Sequence, residues 1–151
     1  MSELARQRRA GQVGMAVFLA SWAMLFFALA YAAMALRAKG AWTAMTPQVG
    51  AALPAAATAL VVASSLLLWR RQIAAAVICG IAFLAVQVAI GAGVPPGTGR
   101  SVLLLLSGFH GLHAAVGIAG LIAARRRPGL WSTYWHAVAI AWVALAALVY
   151  L

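Results

Sequence analysis

Acidic side chains are nearly absent from this chain of 151 residues: Glu3 is the only one, against eleven Lys and Arg, and charged residues make up 8% of the whole. A soluble domain carries about 25%, so a water-bathed globule is excluded. No carboxylate or lysine falls inside any long apolar run. Proton-coupled carriers need a group that charges and discharges in mid-membrane, and only histidine is present to serve. The single cysteine, Cys79, excludes an internal disulfide and is expected to pack as a small hydrophobe. Also lacking are a phosphate-cradling glycine loop, a nucleophile triad and the Cys/His spacing of a metal site.

What remains is 66% hydrophobic and falls into five apolar runs. A basic N-terminus, residues 1–13, precedes a membrane domain over 14–151, with spans expected at 14–36, 49–69, 72–94, 101–124 and 134–151. The first would cross about 35 Å as a helix, and no small-residue cleavage site follows it, so it is read as a span and not as a signal peptide. Arg70 and Arg71 alone separate the second run from the third, which demands a tight antiparallel hairpin. Pro95, Pro96, Gly97 and Gly99 make a turn no helix continues through. Arg125, Arg126, Arg127 and Pro128 stop the fourth run, and Trp42 in the first loop is placed as an interface anchor. The fold class is therefore all-α, a polytopic bundle of five transmembrane helices.

Five spans put the termini on opposite sides. Arg6, Arg8, Arg9, Arg70, Arg71, Arg125, Arg126 and Arg127, eight in all, share one side; Arg37, Lys39 and Arg100, three, share the other. The positive-inside rule then gives N-in, C-out. The net charge of +10 is distributed in short clusters between apolar runs and forms no stripe along one helix, so lipid headgroups and topology account for it and no nucleic-acid partner is expected.

The polar groups within the spans are few. His110, His113, Gly117, Gly120 and Ala124 fall on one narrow helical face, polar at one end and nearly free of side chains at the other. Such a face receives another helix at close range, with both imidazoles placed to hydrogen-bond across the contact. Gln87 shares a face with Phe83 and Gly80, a packing stripe with one interhelical hydrogen bond. Ser64 and Ser65 are expected to bond back to their own helix. Two imidazoles on different helices can ligate a b-type haem, and His110 or His113 with His136 would supply the pair. However, His136, beside Tyr134 and Trp135, lies only about two residues into the fifth run, near the interface, a depth that does not match the other two. The chain is expected to hold neither haem nor metal. A b-haem electron-transfer subunit and a small membrane transporter stay as alternatives from other classes.

Taken in order, these residues resemble subunit III of the haem-copper respiratory oxidases, in its short five-helix form. Gly14 through Ser21, Met24 to Phe27, Tyr31 and Leu36-Arg37 are similar to the family's opening helix. Pro54, Thr58 and Ser64-Ser65 match the next, and Gly80, Phe83 and Gln87 the one after. Gly108-Phe109-His110-Gly111-Leu112-His113 with Gly117 is the most specific match, and Tyr134-Trp135-His136 with Val138 and Trp142 opens the last helix. The departures are consistent in kind. Trp22 and Ile90 stand where the family has glutamate, Ala139 where it has aspartate, and Ala57 where it has asparagine.

The resemblance implies a non-catalytic accessory subunit without a redox centre or catalytic residues of its own. Haem and copper would reside in a partner, the catalytic subunit I, against which this chain would pack, stabilising it and holding phospholipid. Accessory subunits of nitric oxide reductases or quinol oxidases are the nearest alternatives. The site residues so implied are helix-packing or lipid-contact positions: His110, His113, Gly117, Gly120, Gln87, Ser64, Ser65, Trp135 and His136. The location expected is the bacterial inner membrane, crossed several times. Whatever the family's carboxylates do does not carry over to Trp22, Ile90 and Ala139.

Overall fold

A computed structural model describes residues 3–44, 49–125 and 129–151. Among the described residues, five helices long enough to span a membrane follow one another: α1 Glu3–Ala38, α2 Ala52–Trp69, α3 Ile73–Gly93, α4 Thr98–Ala123 and α5 Gly129–Tyr150. All are long and apolar enough to cross a membrane, and no strand occurs among the described residues. The protein is a multi-pass membrane protein built only from helices.

Helices α2 to α5 close into a ring, each packing on its neighbours and α5 returning to α2. Their buried residues recur at three- and four-residue intervals. Ala57, Val61, Ser64 and Leu68 point inward from α2, and Ala76, Gly80, Phe83, Gln87 and Ile90 from α3. From α4 come Leu103, Leu106, His110, Ala114, Gly117 and Leu121; from α5 come Trp135, Val138, Trp142, Leu145 and Val149. That alternation is the knobs-into-holes seam of an antiparallel four-helix bundle. Helix α1 lies outside the ring, against α5 and α4, and exposes most of its length. Phe27 and Tyr31 on its outer face are 76% and 78% exposed.

Two boundaries differ from expectation. Helix α1 starts at Glu3 instead of Gly14, because residues 3–13 hold no proline and are dominated by good helix formers, so the basic segment continues the first span as helix. Helix α5 starts at Gly129 instead of Tyr134, since Leu130, Trp131, Ser132 and Thr133 contain nothing to break it. His136 thereby lies two turns inside α5, not two residues from its start. Arg126, Arg127 and Pro128, which were to stop the fourth span, lie outside the described residues.

The α2–α3 connection is as tight as the sequence requires. Arg71 turns it with φ of 59°, a left-handed conformation that a side chain adopts at some cost. At the opposite end, Arg37 donates from its guanidinium to the carbonyls of Leu148, at 3.3 Å, and Leu151, at 2.9 Å. It also lies over the Trp42 ring, whose Nε1 donates to the Ala33 carbonyl at 2.9 Å. Trp42 is thus tucked into the end of α1, 5% exposed, and is not an open interface anchor.

Candidate functional site

The paired histidines of α4 meet α1, α3 and α5 in one aromatic cluster. His110 is fully buried, its ring centroid 6.2 Å from Phe26, 5.8 Å from Phe83 and 5.4 Å from Trp142. Neither of its ring nitrogens has a hydrogen-bond partner among the described residues. One turn on, His113 stacks on Trp22, centroids 4.9 Å apart and planes at 28°, with Phe26 edge-on at 5.7 Å. Its Nδ1 lies 2.6 Å from the Phe109 carbonyl. A carbonyl only accepts, so Nδ1 is the donor of this bond. The hydrogen bonds expected from these imidazoles across the helix contact are therefore not made. The ring faces do the work instead, and the bond that crosses here runs from the Tyr134 hydroxyl to the His113 carbonyl, at 2.9 Å.

Gly117 and Gly120 lie against α5. A Cβ on Gly117 would stand 2.8 Å from Trp135 Cε3 and 3.0 Å from Tyr134 Cε1; one on Gly120 would collide with the Trp131 ring. Gly80 of α3 approaches the same indole from the other side, its added Cβ 2.9 Å from Trp135 Cη2. Trp135, fully buried, is held between glycines of two helices.

His136 belongs to another group. Its Nδ1 is 2.6 Å from the Ser65 hydroxyl of α2, its Nε2 is 3.4 Å from Ser132, and Trp69 presents an edge at 6.4 Å. Ser64, next to it in the chain, donates to the Ala76 carbonyl of α3 at 2.7 Å. Both serines thus reach across to other helices, contrary to the expectation that they bond within their own. A bond within the helix occurs instead at Thr58, which donates to the Pro54 carbonyl and accepts from Trp142 Nε1 at 3.1 Å. Gln87 sits buried on the face it shares with Gly80 and Phe83, but its Nε2 has no partner among the described residues.

The structure thus joins His110 and His113 through Trp22 and Phe26, and leaves His136 in the Ser65–Ser132 set. No three His, Cys, Asp or Glu side chains gather as a metal-binding group among the described residues. Phe26 and Trp142 are the members sequence reasoning passed over; the signal was their spacing, four residues after Trp22 and seven after Trp135. The four positions at which this chain departs from the subunit III pattern are all turned inward: Trp22, Ala57, Ile90 and Ala139 are 6%, 0%, 2% and 6% exposed. An apolar groove of about 590 Å³ runs beside the cluster between α1 and α5, lined by Trp22, Phe26, Phe27, Ala141 and Ala144 among others.

Comparison with known proteins follows the same line. No family model matches the chain. It is 27% identical over 172 aligned positions to cytochrome c oxidase subunit 3 of Thermostichus vulcanus, covering 92% of this chain and 86% of that protein. The subunit of the same name from Synechocystis sp. is also 27% identical, covering 91% and 74%. A probable cytochrome c oxidase subunit 3 of Mycobacterium tuberculosis is 34% identical over 73 residues, 40% of this chain and 36% of that protein. Over nearly its whole length, then, this chain is similar to proteins that carry the name cytochrome c oxidase subunit 3.

Proposed function

We propose that the chain is a non-catalytic accessory subunit of a haem-copper terminal oxidase, lying N-in, C-out in a bacterial inner membrane. Within that assembly it packs on the catalytic subunit, stabilises it and holds phospholipid. The observation that carries this reading is the likeness to oxidase subunit III over 92% of the chain. The histidine cluster agrees with it, since His110, fully buried, and His113, stacked on Trp22, pack as aromatic rings between helices. Haem and copper belong to the partner in this reading, and the purified chain alone shows no Soret band. The α1–α5 groove is wide enough for acyl chains, its walls are almost wholly apolar, and α1 leaves it open along one side. That supports the lipid-holding part. The sidedness rests on basic residues: Arg100 and Trp42 line one pocket together, so the three cations of the sparser side share one end of the bundle.

The test is isolation of the tagged chain from its own membranes in mild detergent. Co-purification with a haem- and copper-bearing subunit is expected, and deletion of the chain should shorten the number of turnovers that oxidase completes before inactivation. An oxidase that assembles without the chain and keeps its turnover lifetime would refute the reading. A Soret band at one haem per purified chain, lost in His113→Ala, would replace it with electron transfer.

A further inference from the structure

A second groove, of about 530 Å³, lies between α3 and α4, away from the histidine cluster. Its α4 wall is Arg100, Leu104, Ser107 and Gly111, a spacing of four, three and four residues that makes one continuous stripe. Leu84, Gln87, Val88 and Gly91 form the α3 wall. The floor is close to bare backbone: a Cβ on Gly108 would meet nothing within 4 Å, and one on Gly111 only the Gln87 Oε1, at 3.4 Å, and Leu84, at 3.8 Å. Two polar side chains line this groove, each with a buried nitrogen that has no partner among the described residues. Gln87 is 8% exposed with its Nε2 unsatisfied; Arg100, half-buried at the mouth, has an unsatisfied Nε. A buried amide without a partner is destabilising, and hydrocarbon filling the groove would offer it none.

We propose that this groove receives a transmembrane helix of a different protein, which sets a Ser, Thr, Asn or Gln beside Gln87 and an acidic side chain beside Arg100. The inference rests on the assembly reading above only in taking the chain to be a subunit. Acyl chains offer no hydrogen-bonding group at Gln87's depth, whereas a hydroxyl or amide satisfies its side chain in either orientation. A second copy lying parallel fails at the other end: the one acidic side chain of this chain, Glu3, belongs to the start of α1, on the membrane side opposite Arg100. The glycine and serine positions allow the close backbone approach that helix pairs in lipid require. Geometry sets the partner's spacing. Gly111, beside Gln87, is three turns from Arg100 on the same stripe, roughly 16 Å along the axis. The partner's polar and acidic residues therefore stand ten or eleven positions apart on one face.

The test places a photo-crosslinking amino acid at Val88, 73% exposed within the groove, in the full chain in its own membranes, with Ile78, 67% exposed elsewhere on α3, as the control. Illumination should join Val88 to a peptide of another protein that carries the spaced polar and acidic pair, with Ile78 giving lipid adducts. Arg100→Glu should cut that yield at least tenfold, and exchanging the partner's acid for lysine should restore it. Gly108→Leu fills the groove from open space and should abolish the adduct at unchanged melting temperature, which separates blockage from misfolding. Adducts to lipid alone, to a second copy, or to a helix without the pair overturn the proposal. Lipid adducts in a chain that still co-purifies with an oxidase would leave the functional reading standing. A patterned partner helix from a protein without haem and copper would do the reverse.

Discussion

The indole of Trp22 lies flat on the imidazole of His113, centroids 4.9 Å apart, at the position where subunit III proteins are expected to carry a glutamate. The contact ties α1 to α4, and α1 has few others. In a soluble core, Trp→Ala costs about 3–5 kcal/mol. In lipid the apolar transfer part is small, because hydrocarbon replaces the lost neighbours, and roughly 1–3 kcal/mol of packing remains. Trp22→Ala should accordingly lower the melting temperature in detergent and loosen α1 first, seen as new protease cuts between α1 and α2. An unchanged temperature would mean that α1 is held by other contacts.

The same position permits a chemical test. A hydrophobic carbodiimide reacts with protonated carboxyls in apolar surroundings, the form that burial favours. With Asp and Glu absent from residues 14–151, no labelling of that region is expected. Trp22→Glu should create one labelled site, since position 22 is enclosed at 6% exposure. Labelling of the unaltered spans, or none in the variant, would contradict this environment.

Gly117 and Gly108 offer a matched pair on α4. Leucine at Gly117 must displace the Trp135 and Tyr134 rings, 2.8 and 3.0 Å from its first carbon. Overpacking of this kind costs about 1–3 kcal/mol or more, and here it would spread to Gly80 through the shared indole. Gly117→Leu should melt well below the parent chain, and Gly108→Leu close to it. Equal melting points would deny that α5 bears closely on Gly117.

Sidedness is checked with an impermeant thiol reagent on intact cells, in a Cys79→Ala background. Gln7→Cys should be shielded and a cysteine appended after Leu151 should react, as the eight-to-three distribution of cations requires. The opposite pattern would invert the bundle.

The membrane class and the five helices were legible because apolar runs of span length admit no other fold in lipid. The inward faces could also be read from three- and four-residue spacing: Gly80, Phe83 and Gln87 lie together as their periodicity says. Partner choice was not legible. The backbone satisfies Ser64 and Ser65 equally well within α2, and only the proximity of Ala76 and His136 diverts them. The start of α5 differs from expectation because Leu130, Trp131, Ser132 and Thr133 continue the helix ahead of Tyr134 with nothing to break it. His110 looked like a hydrogen-bonding residue by type, yet three aromatic rings enclose it.

Arg37 grips the carbonyls of Leu148 and Leu151, and its helix packs on α5 and α4. Of the five helices, α1 therefore completes its seat only once α5 has been made. Between residue 38, where α1 ends, and residue 150, where α5 ends, synthesis at about 5–20 residues per second takes on the order of ten seconds. Through that interval Arg37 lacks its α5 carbonyls, and Trp22 and Phe26 stay unmated until His110 and His113 of α4 emerge. Among the five helices it is the one most in need of an insertase or holding factor during biogenesis, and its docking reports that α5 is in place.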